Sequence, residues 1–206
     1  MKTRMNILCL LVFLLMGFSV VETAYYFTIG LKAGADPNPT MRNLEYVSVL
    51  PDDMTLLTDS VFNVKSQTYV PATYSHLLIS VDTPENLWEQ VIRGLMVLAA
   101  VGCFLQAALY FLRLIIAINR SEIFSWDNVH RLRKVGLLML SGFLLQGAQL
   151  WILFHRLDDV FAMQGYSFSL REALSLSNLL LGLVALIVAE VFAIGLRLKE
   201  EQELTI

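Results

Sequence analysis

Four long apolar runs, separated by polar stretches of unequal length, set the pattern of this 206-residue chain. The first begins at Met5, reaches Val21, and continues past a single Glu22 from Thr23 to Leu31. At about 27 residues it is longer than the apolar part of a secretory signal, and no small-x-small cleavage site follows it, so it is read as a retained span. Cys9 is preceded by Ile7-Leu8 and not by the small residues that mark a lipoprotein cysteine. The second run extends from Leu87 to about Ile118, around a charge-free core of about 19 residues from Gly94 to Leu112. The third, Val135 to Phe154, has about 20 residues and no charge, and the fourth covers about Glu172 to Leu196. Each is long enough to cross a bilayer as a helix.

The polar stretches say which way the runs point. Asn119 to Lys134 is a short connector carrying Arg120, Arg131, Arg133 and Lys134, a density of basic residues that keeps a loop on the cytoplasmic side. Lys2 and Arg4 before the first run, and Arg197 and Lys199 after the fourth, agree with it. Four spans with both termini cytoplasmic satisfy every flank at once. Within the connector Ser125 suits a helix cap. Val129 and Leu132 fall on one side of the helix that follows, and His130, Arg131 and Lys134 fall elsewhere, which predicts an interfacial helix running straight into the third span. Its basic face has two readings, a docking site for a nucleic acid or an acidic protein, or the topology signal with lipid headgroup contacts. The second needs no partner and is preferred; no direct nucleic-acid binding is expected.

Between the first two spans, residues 32–86 form the one sizeable polar segment. The prolines of Ala35-Asp-Pro-Asn-Pro-Thr40 end the helix. Tyr46–Leu50, Val61–Val64 and Leu77–Val81 then read as strands, separated by Pro51-Asp-Asp53 and by Pro71. Asp82-Thr-Pro-Glu85 is a helix start, with Thr83 at the cap and Pro84 at the first helical position. His155 to Arg171 is read as a short outer loop. The fold class is therefore an all-α membrane protein: a four-transmembrane-helix bundle, one membrane domain over 1–206, with a small β-rich extracytoplasmic insertion.

Composition sharpens this. Apolar residues make up 56% of the chain, too many for an ordinary soluble domain of this size. The formal charge of −3 is unevenly spread, with acids collected between Asp36 and Glu89, and this speaks to topology more than to partners. Cys9 and Cys103 both lie in apolar runs, which implies neither a disulfide framework nor a thiolate metal site. No His-Glu-x-x-His, Gly-x-Ser-x-Gly or phosphate-binding glycine loop occurs, and His130 and His155 lie at opposite ends of the third span. Neither catalytic residues, a cofactor nor a metal is expected. His76 reads as an ordinary strand or surface residue, and the sequon at Asn119-Arg-Ser121 falls on the cytoplasmic side.

Ionisable and amide groups inside spans need partners. Arg113 lies seven residues before Arg120 and Glu190 seven before Arg197, so both sit roughly 10 Å in from the flanking arginines and suit an ion pair. Glu22 and Arg93 are similarly placed near the outer side. Gln106 shares a face with Arg113, and Gln146 and Gln149 are three apart on the third span. Asn178, Gly182, Ala185, Ala189 and Ala193 make a small-residue stripe that lets a neighbouring helix approach. These groups either pin a bundle or line a polar path for a small solute; the first is favoured, because no broken-helix Gly/Pro signature marks a transport site.

Two stretches resemble a known family. Glu122-Ile-Phe-Ser-Trp-Asp-Asn-Val-His-Arg-Leu-Arg-Lys-Val-Gly136 and the ending Glu190-Val-Phe-Ala-Ile-Gly-Leu-Arg-Leu-Lys-Glu-Glu-Gln-Glu-Leu-Thr-Ile206 are similar to the bacterial membrane proteins of domain-of-unknown-function family 2975, from the second span to the C-terminus. The resemblance implies a four-span protein of the bacterial cytoplasmic membrane, encoded beside a small helix-turn-helix regulator, and it brings no activity with it. Two hypotheses follow. In one, a non-enzymatic sensor or partner contacts a soluble DNA-binding regulator through its connector, at Trp126, His130, Arg131 and Arg133, and its acidic tail. In the other, a small permease or immunity-type protein, acting as a homo-oligomer, uses Gln106, Gln146, Gln149, Arg113 and Glu190.

Overall fold

A computed structural model describes residues 2–35, 38, 44–53, 59–81, 87–120, 124–170, 174 and 176–204. Among the described residues four long helices occur: α1 (Lys2–Gly34), α2 (Leu87–Asn119), α3 (Trp126–Asp158) and α4 (Leu176–Leu204). Three of them, α2, α3 and α4, are long and apolar enough to cross a membrane, which makes this a mostly helical chain of membrane-protein character. The helix start read at Asp82–Glu85 lies outside the described residues, as does Glu172. The chain divides into two compact units, the first made of residues 1–28, 91–146 and 175–206, the second of residues 29–90 and 147–174.

In the first unit, α3 begins within the connector. The Ser125 carbonyl accepts from Asn128 N at 3.1 Å and its hydroxyl lies 3.4 Å from the same amide, a cap over the first turn. From there one unbroken helix includes both the connector segment and the third apolar run. The connector turns are helical because they have apolar residues to bury: Val129 is 0% exposed and Leu132 7%. Leu132 packs with Leu114 of α2 and Ala189 of α4, and Val129 packs with Ala193 and Leu196. The small-residue stripe of α4 faces α3. A side chain placed on Gly136 would come within 2.8 Å of the Gly182 carbonyl and 2.6 Å of Leu186 Cγ, so only a glycine lets the two backbones approach this closely.

The second unit holds the β structure. Strands β1 (Leu44–Pro51), β2 (Asp59–Asn63), β3 (Thr68–Ala72), β4 (His76–Ser80) and β5 (Tyr166–Phe168) form a three-stranded antiparallel sheet ordered β4-β1-β5 and a β2–β3 hairpin. Val47, Ser48 and Val49 of the central strand are all buried, so β1 lacks the in-out alternation of a half-solvated strand. They close a core with Phe154 and Leu157 from the end of α3 and with Tyr166. Two strands are additions to the sequence reading. β3 contains Pro71, expected to interrupt; in a two-stranded ladder one side of each strand faces away from its partner, and a residue lacking an N–H is accepted there. β5 lies in what reads as a plain outer loop, and three residues are too short to show a period. It pairs Val49 with Phe168 and Pro51 with Tyr166. Its Tyr166 hydroxyl donates to Asp59 Oδ2 at 2.6 Å and accepts from Tyr74 N at 3.3 Å.

Candidate functional site

The polar chemistry of the first unit gathers where α2 ends, α3 begins and α4 ends. Glu190 is held there by a two-pronged contact: Arg133 Nε donates to Oε1 at 2.9 Å and Nη2 to Oε2 at 3.1 Å. This corrects the expected pairing of Glu190 with Arg113. Depth along the helix was the right criterion for a partner, but direction around it decides. Leu132 and Ala189 share one core cluster, which brings the residues after them, Arg133 and Glu190, level on adjoining helices.

Arg113 is engaged otherwise. Its guanidinium carbon lies 5.7 Å from the centre of the Tyr110 ring, one helical turn earlier. Its carbonyl accepts from Arg131 Nη1 at 3.4 Å, and the same Nη1 donates to Asn128 Oδ1 at 3.0 Å. Lys134 reaches across from α3 to the same tyrosine, with Nζ 4.9 Å from the ring centre and 3.4 Å from the hydroxyl. Arg113 and Lys134 thus meet at one aromatic side chain, and Arg131 lies beside them against the Arg113 backbone.

The third feature joins the connector to the tail. The Trp126 indole N–H donates to Glu200 Oε1 at 2.7 Å. Phe124 stacks on Phe192 at 5.4 Å, and Trp126 and Phe192 flank the Val129–Ala193–Leu196 cluster. Trp126 is half-buried in this clasp, where the sequence reading offers it freely to a partner. The tail continues α4 to Leu204, with Lys199 and Glu203 paired at 3.7 Å. His130 is exposed, and its Nδ1 lies 2.7 Å from the Trp126 carbonyl.

The remaining candidates are dispersed. Glu22 is exposed on α1 and Arg93 half-buried on α2. Gln106 is exposed on α2 and Gln146 half-buried on α3, whereas Gln149 belongs to the second unit, its Nε2 buried without a hydrogen-bond partner among the described residues. Tyr110 and Asn128 carry no motif in the sequence, and Glu200 enters the sequence reading only as part of the acidic tail. A tyrosine three residues before Arg113 is the one local signal that pointed to the first of them. The second unit has an open cleft of about 310 Å³ bordered by Val49, Asp158, Phe161, Met163, Tyr166 and Phe168. Among the described residues no group of three or more His, Cys, Asp or Glu is placed to hold a metal ion.

A family model described as "Protein of unknown function (DUF2975)" matches residues 54–206. The match takes in β2 to β5 as well as α2, α3 and α4, so the resemblance reaches upstream of the second apolar run. No curated protein and no solved structure matches the chain.

Proposed function

The chain belongs to the DUF2975 family, and from that premise we propose a non-enzymatic, multi-pass protein of a bacterial cytoplasmic membrane that partners a small soluble regulator through the end of the first unit. α1 supplies the fourth span on this reading. Its Leu10, Leu14, Leu15, Phe18 and Val21 are each exposed to 60–69%, and so apolar a surface suits lipid and not water.

The observation that carries the proposal is the Trp126–Glu200 hydrogen bond. It makes the connector and the tail one surface, so a partner that reads the acidic residues Glu200, Glu201 and Glu203 also meets the start of α3. Both termini are cytoplasmic in this reading, which places that surface where a DNA-binding regulator is found. The test is crosslinking in native cells followed by mild-detergent purification of the intact chain, a chain ending at Lys199, and Trp126→Phe. Recovery of a small DNA-binding protein with the intact chain, lost with the truncation and reduced with Trp126→Phe, is the expected result. Equal recovery from all three removes the clasp from the interface.

The permease reading keeps one observation of its own, the buried Gln149 Nε2, which has no hydrogen-bond partner among the described residues. It predicts that Gln149→Leu abolishes solute flux while the folded protein is still recovered.

A further inference from the structure

We propose that Arg113, Arg131, Lys134 and Tyr110 form a binding site for the phosphate of an anionic phospholipid headgroup. The inference rests on the membrane character of the chain and not on the regulator reading. Lys134 Nζ and the Arg113 guanidinium approach the same Tyr110 ring, at 4.9 and 5.7 Å from its centre, and Arg131 lies against the Arg113 carbonyl. Among the described residues no carboxylate pairs with any of the three. The neighbouring Arg133, by contrast, is neutralised by Glu190.

Positive groups gathered from two helices repel one another, and a ring face and an amide oxygen offset only part of that cost. An anion completes the arrangement. The donors available select its type: two guanidinium forks and one ammonium match the several oxygens of a phosphate better than a single carboxylate. Tyr110 accepts from Lys134 and keeps its own O–H to donate.

Position selects the source. Arg113 stands between Leu112 and Leu114 inside the second apolar run, and Lys134 directly precedes the third. Long basic side chains at such places extend toward the headgroup layer, where lipid phosphates already reside. Leu109, Ile116 and Leu137, next to the cluster in sequence, expose 54%, 44% and 59% of their surface and offer apolar contact for acyl chains. A free phosphate ion would have to leave water to reach the same groups.

The experiment is a lipid titration of the full-length protein in mild detergent, followed by native mass spectrometry, with phosphatidylglycerol and phosphatidylcholine of matched chain length. Phosphatidylglycerol is expected to bind about tenfold more tightly, and Arg131→Gln with Lys134→Gln to remove that preference. Arg120→Gln, two turns from Arg113, is expected to leave it intact, which separates a built site from general positive charge. Equal binding of the two lipids by the wild type overturns the proposal, as does a loss in Arg120→Gln equal to that in the double variant. Displacement of phosphatidylglycerol by millimolar inorganic phosphate overturns the lipid assignment in favour of a soluble phosphate ligand. The wild-type comparison needs no variant, and Lys134→Gln alone, at an exposed position, keeps the test open should the double variant fail to fold.

Discussion

A single carboxylate shows how the polar groups of the first unit are shared out. Glu190 takes both of its hydrogen bonds from Arg133, at 2.9 and 3.1 Å, and lies on the part of α4 that a bilayer surrounds if that helix spans. In lipid an ion pair is screened little, and a lone charge is costly, so breaking the pair from either side should hurt. Glu190→Gln and Arg133→Gln are each expected to lower the folded yield and the melting temperature in detergent, and the exchange Arg133→Glu with Glu190→Arg to recover part of the loss. Arg113→Gln should leave the melting temperature nearly unchanged, because among the described residues its side chain meets the Tyr110 face and no carboxylate. A larger loss from Arg113→Gln than from Arg133→Gln, measured by melting monitored on gel filtration, would contradict the assigned partner. This pairing was illegible in the sequence for a definite reason. Spacing from the flanking arginines gives depth along a helix, whereas the partner is settled by which faces two helices turn to each other, and that depends on packing elsewhere.

Among the elements, α3 and α4 are joined by their smallest residues. The sequence made the α4 stripe visible, since Gly182, Ala189 and Ala193 recur on one helical face, and the structure buries all three. Their counterpart Gly136 stood in plain view without a pattern around it, and only the contact with the Gly182 carbonyl gives it a role. Gly136→Ala forces a methyl into backbone and Leu186, and is expected to destabilise by about 1–3 kcal/mol. Gly195→Ala on α4, where a methyl meets nothing within 4 Å, should be neutral or gain up to about 1 kcal/mol from helix propensity. Thermal melting of the two variants side by side checks the pair, and equal effects would remove close approach as the explanation. The long helices were legible because an apolar run of about 20 residues has few other uses. Their ends were less so. The start of α3 was the exception: it lies nine residues before the third apolar run, at Trp126, where the Ser125 cap and the apolar pair Val129 and Leu132 mark a helix running into the span. The strands carry less signal per residue: β1 and β4 were found through their β-branched runs, while β3 was hidden by Pro71 and β5 by its length of three residues.

For the molecule as a whole, the second unit is assembled from two stretches distant in sequence, residues 29–90 and 147–174. The polar segment between the first two spans, which reads from the sequence as an insertion, is completed by the end of α3 and the segment after it. Phe154, Leu157 and Tyr166 supply one side of the core and Val47 and Val49 the other. A stretch of about 55 residues buries little apolar surface alone, and borrowing from a second segment is how such a unit reaches a stable core. Tyr166 is the residue on which this joining can be tested, because its hydroxyl contacts β2 through Asp59 and the β3–β4 link through Tyr74, while its ring lies in the shared core at 7% exposure. Tyr166→Phe keeps the ring and removes the hydroxyl. The Asp59 carboxylate and the Tyr74 amide then lose a partner, a change expected to cost about 1.5–3 kcal/mol locally. Hydrogen exchange is the measurement. Amides of β2, β3 and Tyr74 should exchange roughly ten- to a hundredfold faster in the variant, with Leu132 and Ala189 of the first unit unchanged. Faster exchange across β1 to the same degree would mean that the hydroxyl supports the core itself, and no change anywhere would mean that the hairpin is held without it.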